Sequence, residues 1–302
     1  MTLKKFFFAL LAAVSTATVA TMTTTAAAVG GPEVKFVGTT ASRTDAESLQ
    51  RGARLFVNHC LNCHSAQYMR YNKLVDLKLT EDQIKQNLMF TTDKLGETMK
   101  VALTAKDGKE WFGAIPPDLS VMARSYTAAV IEGSSDSPPD VLAAYLRGFY
   151  QDDSRETGWN NLVSPNIGMP HVLTELAGVN KLVETVFRTD GKDLKTDHDA
   201  EAKAKAAFIA AQTMSSFEHH VDKKGGKIEN SYIVKTLTNV KPGSMTPQQF
   251  DIAIADLVNF MSYVAEPNKA KRIQIGIIMM FLLAFMLGAA IWMKKEFWKD
   301  IH

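Results

Sequence analysis

The sequence predicts a mainly α protein, a single globular domain with long loops followed by one C-terminal helix of membrane-spanning length. Three observations predict this class. Apolar residues recur at helical spacing behind capping patterns at Thr44–Glu47, Thr80–Gln83 and Thr246–Gln249. Ile273 to Met293 is a run of 21 residues with no charge and one polar side chain, Gln274. The segments between are broken by proline and glycine rather than by alternating strand patterns, so strands are expected to be short at most. With 302 residues, 46% of them hydrophobic, the chain has ample material for a core, which excludes a disordered protein.

In chain order, residues 1–28 read as a secretory signal: Lys4 and Lys5, an apolar run from Phe6 to Val14, then the small-residue exit Ala26-Ala27-Ala28. That run is too short to cross a bilayer. After an extended lead-in, the helix expected from Thr44 places Leu49, Ala53, Phe56, Val57 and Cys60 on one face. A second helix follows Thr80 through Ile84, Leu88 and Met89. Pro116-Pro117 and Pro138-Pro139 mark loops, and Asp153 to Pro170 is a long irregular loop of the kind that carries function. The highly charged stretch 188–230, with a helix-like part at 201–211, reads as a surface excursion. A last helix begins at Thr246-Pro247, buries Phe250, Ala253, Ile254, Leu257, Phe260, Met261 and Val264, and stops at Pro267. The expected organisation is thus a signal (1–28), a periplasmic domain (29–268), and an anchor with a short cytoplasmic tail (269–302, spanning about 273–293).

The 21 apolar residues cover about 30 Å as a helix, one bilayer. Three basic residues stand on each side, so loop charge does not orient the span. The export signal does, leaving the C-terminus in the cytoplasm of a bacterial cell and the domain on the periplasmic face of the inner membrane. Between Val29 and Asn268 the chain holds 26 basic and 30 acidic residues, a net −4. This argues against nucleic acid as a partner and suits a basic protein. Glu132, Asp136, Asp140, Asp152, Asp153 and Glu156 are candidate steering charges.

Cys60-Leu61-Asn62-Cys63-His64 is the c-type haem attachment pattern, and it uses the only two cysteines in the chain. Thiols three residues apart share one face of a helical turn, where both can add to haem vinyl groups while the next imidazole turns to the iron. Competing readings are a redox dithiol, which would be expected beside a strand–helix unit, and half of a zinc site, which lacks a second ligand pair. One motif means one covalently attached haem c and excludes a two-haem peroxidase. His59, His171 and His219-His220 are weaker candidates as ligands. No catalytic triad, phosphate loop or carboxylate pair stands out, so no bond-making chemistry on a substrate is expected.

With these residues in hand the chain resembles the cytochrome c1 family, the haem subunit of bacterial quinol:cytochrome c oxidoreductase, the cytochrome bc1 complex. The resemblance rests on the order of parts: export signal, haem motif, Ile115-Pro116-Pro117-Asp118-Leu119-Ser120, a loop ending Gly168-Met169-Pro170, a helix closing on Ala265-Glu266-Pro267, and one anchor. It implies a cytochrome c-like haem domain with Cys60 and Cys63 as attachment sites and His64 and Met169 as axial iron ligands. It also implies that Arg124 lies near the haem propionates. Cytochrome b and a Rieske iron-sulfur protein are the implied partners, and a c-type cytochrome the implied electron acceptor. The alternatives are the haem subunit of another anchored redox complex, such as a terminal oxidase, and an exported thiol-disulfide oxidoreductase.

The residues themselves narrow the sixth ligand without closing it. Of fourteen methionines, eight lie outside the signal and the anchor. Met69 is too near His64, and Met89, Met122 and Met261 fall in helical patterns where a thioether fills core. Met99, Met214 and Met245 stay open beside Met169, which sits in a non-periodic loop 105 residues after His64.

Overall fold

Capping side chains set where several helices of this chain begin, as a computed structural model of residues 33–35, 45–101, 103–125, 137–189, 194–211, 214–224 and 227–299 shows. The signal expected at residues 1–28 lies outside the described residues. After strand β1 (Glu33–Lys35), helix α1 (Ala46–Leu55) starts at Asp45, whose carboxylate accepts from the Glu47 amide at 3.1 Å. It runs on into a π-helical turn, Phe56–Cys60. Strand β2 (Ala66–Arg70) and a 3-10 turn (Tyr71–Leu77) lead to α2 (Glu81–Asn87), where Thr80 and Gln83 exchange the two bonds of a capping box. Strand β3 (Thr98–Met99) pairs with β2, and α3 (Ala105–Phe112) and α4 (Met122–Ser125) flank the Pro116-Pro117 loop.

The second diproline differs from the sequence expectation. Pro138 and Pro139 occupy the first turn of α5 (Pro138–Arg147), capped by Ser137 and Asp140. Proline there loses no helical hydrogen bond, because the first turn's amides have no intrahelical acceptor. Strands β4 (Phe149–Gln151) and β5 (Trp159–Asn161), a turn α6 (Thr174–Ala177), strand β6 (Gly178–Thr189), helix α7 (Leu194–Ala210), strands β7 (Ser215–Lys224) and β8 (Lys227–Pro242), then α8 (Pro247–Ala265) and α9 (Lys269–Phe297) complete the described chain.

The expectation of a mainly α fold is overturned. Strands form a six-stranded sheet in the order β1-β7-β8-β6-β4-β5 and a two-stranded one, β2-β3. The stretch 188–230 read as a charged excursion holds the helix α7 and, beside it, the end of β6, all of β7 and the start of β8: β6 and β8 pair antiparallel from Gly178↔Pro242 to Thr189↔Asn230, and β7 pairs with β8 from Ser215↔Thr236. Its charges concealed it. Lys235 reaches Glu218 on one neighbouring strand at 2.7 Å and Glu184 on the other at 3.8 Å, so these groups pair across strands. On the other face Phe187, Tyr232, Val234 and Phe217 pack against Ala204 and Phe208 of α7.

The main core lies where α1 crosses α8. Gly52 permits the crossing: a Cβ there would stand 2.0 Å from the Asp256 carbonyl oxygen and 2.7 Å from Phe260 Cβ. Beside it Arg51 Nε and Ser48 Oγ each donate to the Asp256 carboxylate at 2.6 Å, Asn259 Nδ2 donates to Ser48 Oγ at 2.8 Å, and the Phe56 and Phe260 rings meet at 5.5 Å. Helix α9 exposes its apolar side chains along its length. Its segment Lys271–Phe297 is long and apolar enough to cross a membrane.

Candidate functional site

The haem motif follows from how α1 ends. In the π-helical turn the Leu61 amide donates to the Phe56 carbonyl at 3.0 Å, and the Cys63 and His64 amides both donate to the Cys60 carbonyl, at 3.1 and 2.9 Å. This curl brings Cys60, Cys63 and His64 to one wall of a cleft of about 430 Å³. Phe112 and the loop Ile115–Pro117 form a second wall, Leu142, Tyr145 and Leu146 of α5 a third, and Ile167–Pro170 a fourth. The lining is largely apolar and its volume lies within the roughly 300–1,000 Å³ of ligand pockets.

The His64 ring is held in one tautomer. Its Nδ1 lies 2.7 Å from the Pro117 carbonyl, which can only accept, so Nδ1 carries the proton and Nε2 keeps its lone pair. Burial pushes the imidazole pKa down, which keeps it neutral. The Pro-Pro-Asp-Leu-Ser segment is tied to the residues just after the motif. The Asp118 carboxylate accepts from the Gln67 and Ser120 amides at 2.9 and 2.8 Å, and the Leu119 amide donates to the Ser65 carbonyl at 2.8 Å.

Met169 reaches the cleft on the irregular loop, which asparagine side chains hold in place of a strand ladder. Asn161 Oδ1 accepts from the Val163 and Ser164 amides at 2.9 and 3.1 Å, and Asn160 Oδ1 from Asn166 N at 2.8 Å. Arg155 bonds the carbonyl of Asn166, whose φ of 66° a non-glycine residue seldom adopts. The Met169 Sδ accepts from the Tyr145 hydroxyl at 3.2 Å.

Cys60, Cys63, His64 and Met169 thus line one cleft, whereas Arg124 is exposed on α4 and is not among its lining residues. Of the other methionines, Met122 and Met261 also reach the cleft, and Met99 and Met214 are buried in the core. Burial raises both thiols, Cys60 to about 12, the opposite of the lowered pKa a redox dithiol needs. Sequence reasoning missed Tyr145, and His59, one of its weaker ligand candidates, also lines the cleft. Ser137-x-x-Asp140 ahead of Val141, Leu142 and Tyr145 was the available signal for α5.

The model of the Cytochrome C1 family matches residues 36–301. The chain belongs to that family. A protein of Allochromatium vinosum described as cytochrome c1 is 35% identical over 259 residues, 85% of this chain and 86% of its own. One of Nitrosomonas europaea described as an ammonia monooxygenase gamma subunit is 36% identical over 272 residues, 90% of this chain and 91% of its own. Membership of the family implies a c-type haem and a place in a bc1-type complex. With α9 it fits a single-pass membrane protein.

Proposed function

We propose that this chain carries one haem c on the periplasmic side of a bacterial inner membrane. In this reading it takes single electrons from a Rieske iron-sulfur protein, beside cytochrome b, and gives them to a c-type cytochrome. The observation that carries this reading is one apolar cleft that gathers two thiols, an imidazole with a free Nε2, and a loop thioether.

This donor set suits haem c. Cys60 and Cys63 would hold the vinyl groups, and His64 and Met169 the iron. When bound, the haem supplies a one-electron couple that a His/Met pair sets at high potential. The chain's own part is to fix the ligands: Pro117 orients His64, Tyr145 bonds the Met169 sulfur, and apolar walls limit water. Residues 1–28 would direct export and 269–302 anchor the domain.

The test uses the full-length chain purified from membranes in mild detergent. Haem is expected to survive denaturing electrophoresis, with a mass equal to the processed chain plus one haem. Met169→Ala is expected to lose the weak near-infrared band of ferric sulfur–iron ligation and to lower the potential. An exported chain with both thiols free would refute the reading. Co-purification of cytochrome b and a Rieske protein supports the assembly. The Nitrosomonas relative supplies the second reading, for which monooxygenase polypeptides would be recovered instead.

A further inference from the structure

We propose that Tyr145 is the positioning residue of the Met169 sulfur, selecting which of its two lone pairs is turned to the cleft. The inference rests on Met169 being the iron ligand. A thioether sulfur can only accept, and it has two lone pairs. The Tyr145 hydroxyl, donating at 3.2 Å, occupies one and leaves the other. Once that second pair binds a metal the sulfur has four different neighbours, so the hydroxyl fixes its handedness.

The hydroxyl is itself well placed. Tyr145 is 8% exposed, and its ring meets Phe149 edge-on at 5.3 Å. Phe149 in turn stacks on the buried His171 at 4.9 Å. Asn161 Nδ2 donates to the Tyr145 carbonyl at 2.8 Å, and the same side chain accepts from Val163 and Ser164, where the Met169 loop begins. One buried amide therefore references both the donor helix and the acceptor loop. Met122 and Met261 line the same cleft, yet the hydroxyl is turned to Met169.

Two consequences follow from ligand chemistry. A donor on the sulfur draws electron density from it, which disfavours the electron-poor ferric state and raises the reduction potential. It also holds the thioether against competing ligands. Tyr145→Phe removes one oxygen and keeps the ring. In the full-length, haem-loaded protein it is expected to lower the potential and to reorder the haem-methyl hyperfine shifts in ferric NMR spectra. Imidazole affinity of the ferric form is expected to rise about five- to tenfold, the worth of one hydrogen bond.

Met169→Ala, run beside it, separates the two ideas. If the near-infrared band survives in Met169→Ala, the ligand assignment fails. If Met169→Ala loses the band while Tyr145→Phe matches wild type in potential, imidazole affinity and methyl shifts, the positioning role alone is refuted. Should Tyr145→Phe not accumulate, the ferrous wild-type protein decides by proton NMR. A nuclear Overhauser contact between the Tyr145 hydroxyl proton and the Met169 methyl is expected, and its absence would overturn the proposal.

Discussion

In the helical core each of two ion pairs has one buried member. Arg147 of α5 exposes 7% of its side chain and reaches Asp251 at 2.7 Å, and Asp256 of α8, also 7% exposed, is met by Arg51 at 2.6 Å. On the β6–β8 sheet the charges lie along a face: Lys235, Glu218 and Glu184 form a cross-strand network, and beneath it a small cluster centred on Phe208 and Tyr232 packs against α7. A charge in the core is costly to orphan, because burial leaves no water to replace its partner. A charge on the sheet has something to fall back on: Glu218 is met by His220 at 3.2 Å as well as by Lys235, and Glu184 is about half exposed to solvent. No residue of α7 or of β6–β8 lines the cleft, so damage to the two regions should read out differently.

The largest expected effect is from Asp251→Ala, which leaves the buried Arg147 guanidinium without its carboxylate. Chemical denaturation should show a loss on the order of 3–5 kcal/mol, with haem ligation lost in the same transition, since Arg147 is two residues from Tyr145. Gly52→Ala should cost about 3 kcal/mol, because its methyl meets the Asp256 carbonyl and α1 must lift from α8. A thermal midpoint equal to wild type would mean that the crossing is looser than described. Lys235→Ala is the smallest, under about 1 kcal/mol, and should leave the near-infrared band and the potential unchanged. A shift in either would break the separation between sheet and cleft.

The same contrast explains what could be read from residue order alone. Helices α2 and α8 were legible because Thr80–Gln83 and Thr246–Gln249 are local devices, complete within four residues. That Cys60, Cys63 and His64 would share one wall was legible because they lie on one turn. The sheet was not, since Lys235, Glu218 and Glu184 make sense only once three strands are side by side. Tyr145 was hidden for a similar reason: its partner lies 24 residues on, in a loop whose shape is set by side-chain amides rather than by any period. Asp140 and Asp152, read as steering charges, are also engaged at home, Asp140 as a helix cap and Asp152 as acceptor for Ser154 and Asn160. Hydrogen bonds from these two hold the Asp152 carboxyl below its ordinary pKa.

Between the last residue of α8 and the first of α9 stand Glu266, Pro267 and Asn268, and Glu266 pairs with Arg272 across them. Three extended residues reach about 10 Å. On the proposed topology such a leash is too short for the haem domain to swing between a donor and an acceptor. The electron's travel must then be done by its partners, one arriving and one departing past a stationary post.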